Sequence, residues 1–596
     1  MQQTESYRQR DHLEYPEKTM FEMVAENALT HPDEPAFEFY GRKTDYRRFV
    51  ERIERCARAF YKSGVGLGDA VTICMPNTPQ ALDCFYGLDR IGAIANMVHP
   101  MSARSEITFY LNLSQSRFIL TVDLFYETVE QAVLDADHPV TILVARMQDE
   151  LPPHMAALYL LKKGRSYLKY PGKNPNGILW KTFLSRGAAG DPLPEVHFDR
   201  NRTSVILYSG GTSGTPKGIM LSDFNFNALA TQAIEAIGQD FRAGLSMLSC
   251  MPCFHGFGLG INLHTVLAHG ACCILMPTFS AKTYADMLIK KRPNFIAGVP
   301  TIFEALLHIP QFEGQDLSFL KGMFCGGDSL SVELKKKVDA FLKEHNASIQ
   351  VREGYGLTEC VTASCLTPRD DYRENSIGIP FPDMKYCIVK PGTDDELPRD
   401  TEGEIIISGP TLMLGYLNNP EETAETLRVL SDGQTWLYTG DLGHMDEDGF
   451  VYFRQRIKRM IVTNGYNVYP GQLENVIDSC VDVAYSCVIG VPDPRRMQRI
   501  RAYVVPRDGV EGTDTLREQI MALLKQHIAL YALPKEIEFR KELPKTLVGK
   551  VAYRKLEEEA TSEQMQKDRD AAAQAQEEKS SAQQTQRKTA RNKQKK

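Results

Sequence analysis

The stretch Tyr208-Ser-Gly-Gly-Thr-Ser-Gly-Thr-Pro-Lys-Gly218 decides how this chain is read. It follows the apolar run Val205-Ile-Leu207, so an expected strand delivers the backbone into a loop of glycines, hydroxyls and one lysine. Glycines let the main chain approach a ligand closely, and successive N–H groups of such a loop form a concave site for an anion. The hydroxyls and Lys217 can then meet anionic oxygens. The loop is not a Walker A sequence, which needs glycine where Pro216 stands and a hydroxyl residue where Gly218 stands. A solvated glycine-serine linker is the plain alternative; the apolar run before the loop and the helical stretch expected after Gly218 argue against it.

Outward from this loop the pattern is that of βα units around a largely parallel sheet. Val71–Cys74 reads as a strand and Pro79–Ala93 as an amphipathic helix. Phe295–Gly298 reads as a strand, with a helix from Pro300 through Leu307, and Gly322–Gly327 enters a helix from about Ser331. Loops at the carboxyl ends of such strands line the ligand crevice, so chemistry is expected in the glycine-rich ones.

The chain has 596 residues, 43% hydrophobic and 24% charged, which excludes a stapled module, a disordered chain and a fibre. At roughly 100–200 residues per domain it must build several cores. A formal net charge of -7 excludes a protein whose main task is to coat nucleic acid. Its 13 cysteines are scattered, as reduced cytosolic thiols are. Cys250 and Cys253 have redox-motif spacing but precede a Phe-His-Gly loop rather than open a helix. The polar N-terminus and the lack of about 18 uninterrupted apolar residues predict a cytoplasmic protein without a spanning helix.

Three stretches depart from the α/β pattern. Residues 151–186 mix prolines, lysines and aromatics and read as an exposed insertion, a surface lid or helical hairpin, with interfacial membrane contact as the alternative. A smaller unit begins near Arg454, with strands near Val504 and Ile537 and helices near Leu473 and Leu516. Residues 561–596 are Gln-, Ala-, Lys- and Arg-rich without an aromatic, too poor in apolar groups to fold unaided. That tail carries nine basic and five acidic side chains, net +4, so the remainder of the chain stands at -11. A solvated tail is the plain reading, and anionic lipid at the inner face of a membrane is the partner it offers as the alternative.

The phosphate loop resembles the signature of the adenylate-forming enzymes, the superfamily of acyl-CoA synthetases, luciferases and peptide-synthetase adenylation domains. Gly354-Tyr-Gly-Leu-Thr-Glu359, Tyr438-Thr-Gly-Asp441 and Pro544-Lys-Thr-Leu-Val-Gly-Lys550 resemble the family's later motifs in the family's order. The resemblance implies a mixed α/β fold: a large multi-sheet adenylation domain over 1–455, a small α+β domain over 456–560 on a hinge, and a disordered tail over 561–596. It puts Thr212, Ser213, Gly214 and Lys217 on the β- and γ-phosphates of ATP, Thr358 on the α-phosphate and Glu359 on Mg²⁺. It puts Tyr355 on adenine beside Gly326, Gly327 and Asp328, and Asp441 and Arg456 on the ribose. Lys550 is implied as the catalytic lysine bridging substrate carboxylate and α-phosphate. Lys458 is implied as the hinge, and Gly465 and Tyr466 as part of the loop that serves the CoA step. Gln455 and Arg459 depart from the family's glycine and acid.

His255 follows Phe254 where amino-acid-activating relatives carry Asp, which disfavours an α-amino acid, and it resembles the family's gate between acyl pocket and CoA tunnel. Gly356 stands where acetyl-activating relatives carry Trp, so a longer acid is expected. Gly256, Gly258, Gly298, Val299 and Thr362 complete the expected acyl pocket and suit an alkyl chain. The resemblance implies ATP-dependent conversion of a medium- or long-chain fatty acid to its CoA thioester. An aryl-CoA ligase or an acyl-carrier-protein synthetase is the alternative, and an inactive acyl or nucleotide sensor stands against both.

Overall fold

Short apolar strands alternating with capped amphipathic helices produce two large sheets rather than one. The computed structural model describes residues 12–161, 177–187, 192–209, 216–238, 242–463, 466–468, 470–493, 497–546 and 551–564. The chain divides into two units, Met1–Phe453 and Arg454–Lys596. Among the described residues the first unit holds sheets of nine, eight and five strands.

In the nine-stranded sheet the strands Cys272–Leu275, Ser246–Ser249, Phe295–Gly298, Gly322–Cys325 and Val351–Tyr355 lie side by side and parallel. In the eight-stranded sheet Thr141–Ala145, Phe118–Val122, Ala70–Cys74, Ile94–Met97 and Thr203–Ser209 do the same. Helices form between them for local reasons. Asp45 accepts the Arg48 N–H and starts the helix Tyr46–Lys62, whose Tyr46, Phe49, Ile53, Ala57 and Phe60 recur at helical spacing and are buried. Thr78 caps Pro79–Asp89, with proline at the first turn where its missing N–H is harmless. One contiguous apolar core joins both large sheets, from Met20 to Val451.

The insertion expected over 151–186 is only partly exposed. Gly177–Leu179 pairs with Thr141–Ala145 as the edge strand of the eight-stranded sheet. Trp180 and Phe183 are buried against Phe60. The two aromatic side chains make this end of the insertion part of the core, which corrects the surface reading for residues 177–187.

The second unit has its own core around Leu473, Ile477, Val488, Ile500, Ile520 and Leu524. Its helices Pro470–Asp478 and Asp514–His527 accompany the strands Val483–Asp493, Met497–Pro506 and Glu536–Phe539. Helical residues continue to 564. There Glu563 pairs with Arg501 at 2.8 Å and Arg499 donates to Gln564 at 2.7 Å, so the first residues assigned to the tail belong to the folded unit. Residues 565–596 lie outside the described ones.

Candidate active site

The carboxyl ends of the parallel strands Phe295–Gly298, Gly322–Cys325 and Val351–Tyr355 carry part of the expected site residues, while Lys217 and Asp441 lie on antiparallel strands. Tyr208, just before the expected phosphate loop, is held on its strand: its hydroxyl donates to Asn96 Oδ1 at 2.7 Å and its ring lies 4.1 Å from that of Tyr110. Thr212, Ser213 and Gly214 fall outside the described residues. The chain resumes as the strand Lys217–Ser222, antiparallel to Thr203–Ser209 with Ser209 opposite Lys217. The strands on either side of the loop therefore pair as a β-hairpin; the helix expected directly after it, Asp223–Ile237, starts only once Ser222 has capped it.

Tyr355 ends the strand Val351–Tyr355, and its hydroxyl donates to Asp441 Oδ2 at 2.6 Å. Asp441 reaches this position through a bulge: Glu404 faces Leu442 and Ile406 faces Tyr438, so Ile405 alone opposes Thr439, Gly440 and Asp441. Gly440 takes φ 69°, its N–H bound to Glu404 Oε1 at 3.1 Å, and Thr439 Oγ1 receives the Asp441 N–H at 3.0 Å. Beside Tyr355, Gly327 turns the chain at φ 81°, and a side chain on Gly326 would begin 3.2 Å from the Gly354 carbonyl. Glu353 secures the same turn by accepting the Leu330 N–H at 2.9 Å. Burial pushes its carboxyl up to about 8. Asp328 is exposed and binds the Ser329 N–H at 3.0 Å.

Thr358 and Glu359 occupy the short turn Thr358–Cys360. Glu359 Oε1 accepts from the Tyr416 hydroxyl at 3.0 Å, and its carbonyl accepts the Met413 N–H at 2.8 Å. Burial, then the Glu359 carboxylate, push the Tyr416 phenol far above its ordinary value. The Lys217 ammonium lies 4.9 Å from the centre of the Tyr416 ring and pairs with Glu422. Tyr416 and Glu422 thus join two expected nucleotide residues, and sequence reasoning passed over both. Asn419 caps the helix Pro420–Thr426, an ordinary helix start. No local signal discloses that Gly415–Tyr416 forms the edge strand beside Lys217–Ser222.

The expected acyl-pocket residues are closely packed. A Cβ on Gly258 would lie 1.9 Å from the Pro252 carbonyl, and one on Gly298 3.1 Å from the Phe303 ring. One on Gly256 would meet Thr362 Cβ at 3.0 Å. A Cβ on Gly356 would lie 2.2 Å from the Thr362 carbonyl. The reading of Gly356 as room for a longer acid is therefore corrected: the bare position admits the backbone of Thr362 and Ala363. That backbone is itself unusual, with Val361 at φ 51° and Thr362 at φ 79°, where β-branched residues rarely sit. His255 Nδ1 accepts the Phe257 N–H at 3.2 Å, which leaves the proton of the neutral ring on Nε2. The Phe254 ring lies 4.2 Å from that of His99, its plane tilted by 51°. Val299 is buried. The Cys250 and Cys253 thiols point to different carbonyls, Ala297 and Met75, and burial pushes both up to about 12, so the pair is inert packing.

Comparison with known proteins follows from this geometry. The model of the AMP-binding enzyme family matches residues 24–417, and that of its C-terminal domain matches residues 472–550. The chain belongs to the AMP-binding enzyme family. The long-chain-fatty-acid–CoA ligase of Bacillus subtilis (strain 168) is 33% identical over 92% of this chain and 96% of its own. A feruloyl-CoA synthase of Amycolatopsis sp. is 30% identical over 88% and 95%. In structure, the anthranilate CoA ligase AuaEII in complex with anthranoyl-AMP superposes with a TM-score of 0.79 at 22% identity, covering 92% of this chain and 98% of its own. The mixed α/β fold with a smaller C-terminal domain is thereby that of adenylate-forming enzymes.

In the C-terminal unit of this AMP-binding enzyme, Arg456 ends the strand Val451–Arg456. Lys458 lies in the turn Ile457–Arg459 and Tyr466 in the strand Tyr466–Val468, and the side chains of both are outside the description. Gly465 and Lys550 are outside it altogether. The departure at Arg459 has a local reason: its guanidinium pairs with Glu474 at 2.5 Å and lies 4.9 Å from the Tyr553 ring centre. Among the described residues no helix is long and apolar enough to cross a membrane.

Proposed function

We propose that this AMP-binding enzyme activates a fatty acid with ATP and transfers the acyl group to CoA. The observation that carries the reading is the Tyr355–Asp441 hydrogen bond. It joins, across 86 residues of sequence, the ring assigned to adenine at the end of Val351–Tyr355 and the carboxylate assigned to ribose within Thr435–Met445. The fatty acid is supported by the Bacillus subtilis relative, which matches over nearly its whole length.

A carboxylate oxygen of the acid attacks the α-phosphorus, the bond to pyrophosphate breaks, and acyl-adenylate forms. The CoA thiolate then attacks the acyl carbon and expels AMP. Bringing one anion against a polyanion requires positive charge and donors fixed in advance. Lys217, with Thr212, Ser213 and Gly214, takes the β- and γ-phosphates; Thr358 takes the α-phosphate; Lys550 bridges the two reacting anions. Tyr355 stacks on adenine beside Gly326, Gly327 and Asp328, while Asp441 and Arg456 hold the ribose hydroxyls. Glu359, a single carboxylate, would hold Mg²⁺, which would supply positive charge against the phosphates. Among the described residues no cluster of three metal-binding side chains offers an alternative. His255, with Gly256, Gly258, Gly298, Val299, Gly356 and Thr362, borders the acyl group. The hinge at Lys458 and the loop of Gly465 and Tyr466 serve the CoA step. The protein works in the cytoplasm, and the basic tail, or the part of the insertion that precedes Gly177, contacts anionic lipid at the inner membrane face.

Aryl acids form the second reading, favoured by the feruloyl-CoA synthase relative. Pyrophosphate exchange over saturated acids of graded length, with ferulate and benzoate alongside, separates the two. Exchange should be strongest with the longer alkyl acids. Exchange with ferulate only would establish the second reading, and exchange with none would contradict both.

A further inference from the structure

A carboxylate stands where the site needs cations. The Lys217 ammonium is paired with Glu422 in a sheltered position, the two side chains being 16% and 32% exposed. Both are fixed by regular structure. Lys217 opens a strand of the eight-stranded sheet, and the edge strand Gly415–Tyr416 lies directly beside it. The Glu422 N–H binds Asn419 Oδ1 at 3.2 Å, and the Tyr416 N–H binds Thr423 Oγ1 at 2.9 Å, tying the helix Pro420–Thr426 to that edge. With Pro216, Gly218, Tyr416 and Asn418, the pair lines a cavity of about 190 Å³. A carboxylate so placed repels an arriving triphosphate and offers the lysine a competing partner.

We propose that Glu422 is an exchange partner for Lys217. It holds the ammonium when no phosphate is bound, yields it to ATP, and takes it back as pyrophosphate departs. This rests on the reading of Lys217 as a phosphate-binding residue. Only an ion pair changes hands, and no covalent bond is involved. The consequence is a deliberate weakening of polyphosphate binding that hastens product release. Glu422 is a positioning residue here, acting through Lys217. A merely structural Glu422, securing its short helix, would when replaced lower stability without tightening any ligand.

The test is Glu422→Gln in the full-length enzyme, which keeps the size of the side chain and its place in the helix. Calorimetric titration with magnesium pyrophosphate reads the binding, and steady-state kinetics read KM against kcat. Surface-type ion pairs of this kind carry weight corresponding to about a two- to fivefold change. Pyrophosphate Kd and ATP KM should each fall by that amount, with kcat falling as release slows. In a Lys217→Ala background the Glu422 effect should vanish. Should the Gln variant fail to fold, Glu422→Asp carries the test with a smaller shift in the same direction. Pyrophosphate binding that is unchanged or weaker in Glu422→Gln, while Lys217→Ala weakens it, overturns the exchange role. Lys217→Ala binding pyrophosphate as well as the parent overturns instead the reading of Lys217.

Discussion

Gly356 shows how one absent side chain can be misread. Its neighbours Tyr355 and Leu357 pass the loop of Thr362 at backbone distance, and the carbonyl of Thr362 occupies the space a Cβ would take. Backbone cannot move aside as a flexible side chain does, so overpacking there costs about 1–3 kcal/mol. Gly356→Ala should lower the denaturation midpoint accordingly, with an unchanged slope; a midpoint equal to that of the parent would show that the loop gives way freely. A bulkier residue at 356 therefore reports on folding of this loop before it reports on acyl length. The residue-level reading of Asp441 met a different outcome. Its motif was legible, while the partner that orients it, the Tyr355 hydroxyl, came from a distant strand and so had no local trace.

The turn after Gly322–Cys325 illustrates what a strand end must be given to serve a ligand. Gly327 supplies the left-handed conformation, and Glu353 from the adjacent parallel strand supplies an acceptor for the Leu330 N–H. Burial, and after it the Asp328 carboxylate, push Glu353 up to about 8, against the opposing pull of the Leu330 N–H and Lys335. A carboxyl raised from 4.5 to about 8 in the folded state binds a proton that the unfolded chain has already lost. Its stabilising contribution is complete below 4.5 and is lost as pH rises through about 8. Glu353→Gln lacks that loss, so its melting temperature relative to the parent should climb between pH 5.5 and pH 8.5. A constant difference across this window would refute the linkage. The strands and helices of the parallel sheets were largely legible because apolar period and caps are local: Phe295–Gly298 and Pro300–Leu307 lie where the pattern put them. The hairpin formed by Thr203–Ser209 and Lys217–Ser222 was not, because Lys217-Gly-Ile-Met-Leu-Ser222 is short, and its strand character comes from pairing on both sides. The same edge pairing hid Tyr416 and Glu422.

The molecule as a whole consists of a large unit, which carries most of the residues proposed to bind the nucleotide, and a small unit, which carries the remaining family motifs. Composition foretold several cores, and among the described residues the main ones are a core shared by the two large sheets and another in the second unit, with smaller apolar clusters beside them. The insertion was legible only as a break in pattern, because Trp180 and Phe183 show their purpose only against Phe60. An architecture that gathers charge at strand ends serves one event above all, attack of a carboxylate oxygen on the α-phosphorus of ATP. That event leaves a permanent mark, since the attacking oxygen departs with AMP when CoA takes the acyl group. The direct measurement is mass spectrometry of the products after one turnover of a long-chain fatty acid labelled with ¹⁸O in both carboxyl oxygens, with ATP, Mg²⁺ and CoA. One labelled oxygen should appear in AMP and the other in the acyl-CoA carbonyl. Label in inorganic phosphate or pyrophosphate, or its absence from AMP while thioester forms, would contradict activation through an acyl-adenylate.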